Sequence, residues 1–315
     1  MIRIFYRLGS EIALRESQTE FAAIGKENVL WIDLLDPTGD EKRAVEAFLG
    51  TETQSRAQAE EIESSSRFSE SESAIFANTN FLSPADDEML MDPVSFTIVG
   101  NTLTTLREIP LRSFDSLQRR IQARPAQFPD GFSIFVAIMD QRVDLDADII
   151  EIMSKDTAIM SKRVNQQEDI NEEFLLDINQ LQENAMVVRE NVVDKQRLIS
   201  NILKSDHCPE KLEGRLTVLL QDIASLINHT NFTFERLEYL QDTVVGLINL
   251  EQNKIMKTFT LISVLLMPAT LVASFYGMNV SLPFDGKAWA WAGIIGIMLL
   301  IVVSVWFIFK HKKMF

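Results

Sequence analysis

The residues best equipped for chemistry stand together at Gly277, Met278 and Asn279, directly after an almost wholly apolar run from Thr258 to Tyr276. An asparagine amide oxygen and a glycine backbone carbonyl are neutral acceptors. A ring of them, contributed by several chains, could hydrogen-bond the waters around a hydrated divalent cation. Glycine also lets the backbone bend at that point without a Cβ clash. The same residues equally make a glycine helix cap followed by a turn asparagine, so the tripeptide acquires meaning only from its position.

Other chemistry is poorly supported. The single cysteine, Cys208, excludes an intrachain disulfide, and His207, His229 and His311 are too scattered for zinc-ligand spacing. No phosphate-binding glycine loop, nucleophile elbow or paired His ligands are present, which argues against an enzyme and against a site for ATP. The charge is uneven: 24 of 30 basic and 43 of 45 acidic residues precede Glu251, a net charge near −19 for that part. Such a surface repels phosphate backbones, making nucleic acid an unsuitable partner and a hydrated cation a suitable one.

Two apolar runs must position the tripeptide. Thr258–Tyr276 and the 22 uncharged residues of Ala288–Phe309 are each long enough to cross a bilayer, since 22 residues reach about 33 Å against a hydrocarbon core of about 30 Å. Lys254 and Lys257 before the first, with Lys310, Lys312 and Lys313 after the second, predict that both chain ends are cytoplasmic. Only Met278 to Lys287 would then lie outside. The N-terminal MIRIFYRLGSE has too short an apolar run for a signal peptide. Two spans per chain cannot enclose a polar path, so any pore requires several copies.

Upstream, apolar positions recur at three- and four-residue steps from about Asp144 to Leu250, with Pro209 as a break. This predicts a helix ending near Ser205, a turn around DHCPE, and a second helix from near Leu212 to Tyr276, roughly 100 Å long. The first 140 residues instead carry β-rich runs (VLWIDLL, AIFANTNFL, VSFTIVG, TLTTLRE) bounded by turn signals, the pattern of an α/β domain. The expected divisions are an α/β domain over 1–143, a helical stalk over 144–257, spans over 258–277 and 288–309, an external loop over 278–287, and a basic tail over 310–315.

GMN at the outer end of the penultimate span, preceded by QNKIMKTFTLISVLLMP and LLMPATLVASFYGMN, resembles the signature of the CorA magnesium-transporter family. Weaker likeness in VLWIDLLDPT, IESSSRF and NTLTTLRE extends it over essentially the whole chain. The resemblance implies a cell (inner) membrane protein with cytoplasmic termini, an α/β cytoplasmic domain, long helices and a two-helix transmembrane hairpin, assembled as a funnel-shaped homopentamer. It implies a selectivity filter at Gly277, Met278 and Asn279. Asn253, Met256, Phe259, Met267, Thr270 and Ser274 match pore positions, Asp242 an acidic ring below them, and Lys310, Lys312 and Lys313 a basic collar. Magnesium sheds its water slowly and demands octahedral oxygen geometry, so capture through outer-shell hydrogen bonds suits it.

The implied cargo is Mg2+, with Co2+ or Ni2+ as surrogates and no organic cofactor. Passive flux suffices, because inward movement of a divalent ion gains about 4.6 kcal/mol per 100 mV. A regulatory metal between neighbouring chains is implied as well; its regional candidates are Asp86, Asp87, Glu88 and Asp92, expected in a loop, and Asp222 on the long helix. The segment VSLPFDGK departs from the acidic loop common in the family, so ion preference stays open. A zinc transporter of the same fold and a two-span sensor or scaffold without flux are the alternatives.

Overall fold

In a computed structural model of the chain, residues 1–17, 21, 24–54, 67–85, 88–166, 168, 170–278, 287 and 289–311 are described. They divide into two compact units, Met1–Asp242 and Thr243–Phe315.

The first unit is built on a seven-stranded sheet: β1 (Ile2–Leu8), β2 (Glu11–Arg15), β3 (Val29–Leu35), β4 (Phe68–Glu70), β5 (Ala74–Ala85), β6 (Glu88–Val99) and β7 (Thr102–Arg107). Their spatial order is β2-β1-β3-β7-β6-β5-β4. Among the described strands only β3 and β7 run parallel, with Trp31 opposite Leu103 and Leu35 opposite Arg107. The helices are α1 (Gly39–Leu49), α2 (Arg112–Ala123), α3 (Gly131–Gln166), α4 (Glu172–Lys204) and α5 (Glu210–Tyr276), the last running on into the second unit, followed there by α6 (Ala290–His311). The four sequence runs expected as strands are β3, β5, β6 and β7.

The helical pattern expected from about Asp144 begins earlier, at Gly131. Phe132, Ile134, Phe135, Val136, Ala137, Ile138 and Met139 are all buried, so this stretch lies against other groups on every side and shows no amphipathic period. Gly131 is demanded by packing: a Cβ there would sit 2.3 Å from the Leu103 amide nitrogen and 2.8 Å from the Leu30 carbonyl oxygen. The helix therefore starts directly on the ends of the parallel strands. Asp130 caps it, accepting from the Ser133 amide at 2.8 Å and hydroxyl at 2.7 Å, and also from Lys211 Nζ at 2.5 Å. Burial alone would raise the Asp130 pKa, but the bonds from Lys211 and Ser133 outweigh it and hold the carboxyl below its ordinary value.

Two buried ionic clusters fix the layers. Asp33 on β3 and Arg107 on β7 form a two-pronged pair at 3.1 and 2.8 Å, each side chain 1% exposed. Trp31 Nε1 donates to Thr105 Oγ1, which donates to the same carboxylate. Between helices, Asp146 on α3 accepts from Arg142 and lies 2.7 Å from Lys195 Nζ of α4. Phe81 of the sheet sits beneath both cations. Burial, only partly offset by Asp146, pushes the Lys195 pKa down to about 8.

In the second unit the logic reverses. The membrane-length part of α5 and all of α6 are long and apolar enough to cross a bilayer, and none of either window is buried. Large apolar side chains such as Leu271 and Leu300 are about 70% exposed. Such residues are stable outward only where the surroundings are themselves apolar.

Candidate functional site

The first break in the turn around DHCPE comes at Ser205, the C-cap of α4, and α5 starts at Glu210, two residues before the expected Leu212. The turn is clasped to the sheet. Ser205 Oγ donates to Glu70 at 2.6 Å, and His207 Nε2 donates to the Ser71 carbonyl at 2.9 Å. The histidine and the neighbouring half-buried Cys208 thus sit in a structural latch.

From there α5 runs 67 residues with a proline inside it at Pro268. Pro268 has no N–H, so the Val264 carbonyl has no helical donor. Hydroxyls along the apolar part turn inward to the helix: Thr258 donates to Lys254 O, Thr260 to Met256 O, Ser263 to Phe259 O, and Thr270 to Leu266 O, at 2.8 to 3.0 Å. This back-bonding satisfies the hydroxyl proton where no water is guaranteed, and leaves oxygen lone pairs able to accept.

The membrane part of α5 has two faces. Leu261, Val264, Leu265, Pro268, Ala269, Val272 and Tyr276 are partly covered, while the rest of the stretch from residue 249 to 278 is exposed, Asn253, Met256, Phe259, Met267, Thr270, Ser274 and Gly277 within it. At 3.6 residues per turn the seven exposed positions fall within an arc of about 120°, whose centre lies roughly opposite the covered stripe. A matching half-covered stripe, Ile294, Met298, Ile301, Val305 and Phe309, runs along α6 in the same unit. The arc that holds every expected pore residue of α5 from Asn253 to Gly277 also holds exposed Thr260 and Leu271, and Ser263, absent from the sequence-based set, lies near its middle. Continuous helical periodicity across the eight-residue gap between Phe259 and Met267 is the signal that finds it.

At the end of α5, the Gly277 amide donates to Ala273 O at 3.0 Å and the Met278 amide to Phe275 O at 3.4 Å. A Cβ on Gly277 would stand 3.3 Å from the Ala273 carbonyl, so glycine allows a close last turn. Asn279, the third filter candidate, lies outside the described residues, as do Lys312, Lys313, Asp86 and Asp87. Lys310 closes α6 with its ammonium 5.0 Å over the Trp306 ring. Asp242 is exposed at the end of the first unit.

The regulatory candidates are dispersed within one chain. Glu88 and Asp92 stand on β6 rather than in a loop, because β5 and β6 pair out to Ala85 and Glu88, with Asp92 opposite Phe81. Asp222 lines a separate cleft of about 540 Å³ with Arg120, Asp140, Asp144 and Arg215. There burial raises the Asp140 pKa, and Asp144 adds to the rise although Arg215 opposes it. Among the described residues no three His, Cys, Asp or Glu side chains form a group able to hold a metal.

An α/β unit with long trailing helices and two terminal apolar helices, the first ending on glycine, defines the class of two-span membrane proteins with a large N-terminal domain. The chain belongs to the CorA-like Mg2+ transporter family, which it matches over residues 26–311. It is 33% identical over 298 residues to the magnesium transport protein CorA of Campylobacter jejuni, covering 91% of each chain. Against the CorA of Wolinella succinogenes it is 33% identical over 311 residues, 96% of each. Its fold matches the complete CorA magnesium transporter of Methanocaldococcus jannaschii with a TM-score of 0.80, over 98% of this chain and 97% of that one, at 17% identity.

Proposed function

We propose that the protein is a passive channel for divalent cations, with Mg2+ as its cargo, formed by a ring of five copies in the inner membrane. The observation that carries this reading is the pair of opposed faces on α5: one stripe half-covered, the other exposed and bearing Asn253, Met256, Phe259, Met267, Thr270, Ser274 and Gly277. A single chain gives that second face no partner, whereas a ring turns it toward a shared axis. Gly277, Met278 and Asn279 then form the outer mouth, where neutral oxygens hold the ion through its waters. Met256, Phe259 and Met267 narrow the path below. Asp242 and the lysines of the tail, Lys310 among them, surround the cytoplasmic exit, with both termini on that side.

Magnesium as cargo is supported by the relatives named above. Full-length protein in liposomes under a set potential should conduct Mg2+, and Asn279→Ala should abolish flux while the oligomer elutes unchanged. Normal flux in that variant removes Asn279 from the filter; no flux in the wild type favours a sensor or scaffold. Regulation by metal would bring Glu88, Asp92 and the adjoining Asp86 and Asp87, or Asp222, from neighbouring chains together. Millimolar Mg2+ should then slow proteolysis of the cytoplasmic domain, and Asp86→Asn with Asp87→Asn should weaken that protection.

A further inference from the structure

We propose that Ser263 forms a ring of hydroxyl oxygens that keeps water halfway through the apolar constriction and divides it into two short gates, one at Phe259 and one at Met267. The inference rests on the pore reading above and adds a residue and a role to it. Ser263 is exposed and falls at the middle of the arc that holds the other pore-face positions. It lies four residues from Phe259 and four from Met267, about 6 Å along the axis from each. Thr260 shares the arc at the level of Phe259, and without Ser263 the face would carry no polar side chain from there to Thr270, about 15 Å, a length at which a narrow apolar passage empties of water.

The hydroxyl is oriented for this task. Its proton goes to the Phe259 carbonyl at 2.9 Å, so the oxygen faces outward as an acceptor only. Five acceptors at one level suit the waters of a hydrated divalent cation, whose hydrogens point away from the ion. An acceptor ring therefore stabilises the shell without stripping it. The cation meets two dewetting barriers of about 6 Å with a wet station between them. Serine is a poorer helix former than alanine, so its presence in mid-helix calls for a reason. Ser304 supplies the comparison: it back-bonds in the same way, to the Leu300 carbonyl at 2.7 Å, but stands on α6, away from the pore face.

The test uses full-length protein in liposomes. Ser263→Ala should lower Mg2+ flux on the order of tenfold, the kinetic equivalent of one lost hydrogen bond of about 1.4 kcal/mol. Ser263→Thr, which keeps the hydroxyl, and Ser304→Ala should both stay near wild type. Separately, with Cys208→Ser as background, Met256→Cys, Ser263→Cys and Met267→Cys are exposed to a membrane-impermeant cationic methanethiosulfonate. Labelling of all three supports the proposal. Wild-type flux in Ser263→Ala, or labelling at 256 and 267 but not at 263, overturns it and leaves the pore standing. Absence of labelling at all three positions overturns the pore reading and this inference with it.

Discussion

Phe96 and Phe259 are the same side chain under opposite rules. Phe96 is fully buried between the sheet and α3, with Phe81 at 6.3 Å and Phe135 edge-on at 5.1 Å; Phe259 is 67% exposed. In the first unit apolar groups withdraw from water, and the fully buried charges are paired, as Asp33 is with Arg107 and Asp146 with Arg142 and Lys195. In the second unit the apolar groups face outward, and the hydroxyls bond to their own helix. The residue types overlap, so the contrast measures the solvent each unit is built for. Stability is therefore sought in the first unit and conduction in the second.

Substitutions separate the two. The largest effect is expected for Asp33→Ala, which leaves Arg107 buried without its carboxylate and should cost about 3–5 kcal/mol. Denaturant unfolding followed by Trp31 fluorescence, in protein whose other three tryptophans are phenylalanine, reads it; an unchanged midpoint would mean the pair contributes nothing to the sheet. Phe96→Ala should cost a similar 3–5 kcal/mol with flux per folded channel unchanged. Phe259→Ala should do the reverse, altering stability by less than about 0.5 kcal/mol while raising flux through a wider constriction. If both phenylalanine variants act alike, the division between the units fails.

The smallest effect belongs to Asp130. Its folded pKa lies below the unfolded value, so its contribution is present above the unfolded pKa and is lost as pH falls through the folded one. Asp130→Asn keeps an N-cap but loses the charge that meets Lys211. The variant should be less stable than wild type by under about 1 kcal/mol at neutral pH, with the gap closing below about pH 4. Thermal unfolding at pH 7 and pH 3 compares them; a gap that persists at pH 3 would assign the loss to cap geometry instead of charge.

How legible each region is in the sequence follows from the same contrast. Alternating or apolar runs between turn residues reveal β3, β5, β6 and β7. β1 escapes because IRIFYRL has no turn signal on its N-terminal side, and β4 because three residues carry no period. The start of α3 is hidden by burial on every side. The two apolar helices are plain from length alone. At the candidate site, residue types disclose the Gly277 turn, and three- and four-residue spacing discloses most of one face of α5. Ser263 is overlooked because serine among apolar residues reads as incidental until exposure and helical phase are laid side by side. The regulatory acids are the least legible, since adjacency in sequence around Glu88 becomes strand pairing in three dimensions.

The order of the sheet also bears on how the chain is made. Among the described residues every strand lies before Glu108, including the parallel pair of β3 and β7, and the first apolar span begins only at Thr258. About 150 residues must be synthesised in between, which at about 5–20 residues per second takes roughly 8–30 s. That interval is ample for even a slowly pairing mixed sheet to close. Its outermost strands, β2 and β4, are only five and three residues long, so the nascent sheet offers little edge for joining to a neighbour on the same messenger. The strands of the water-facing domain can thus pair before the ribosome delivers the segments that require lipid.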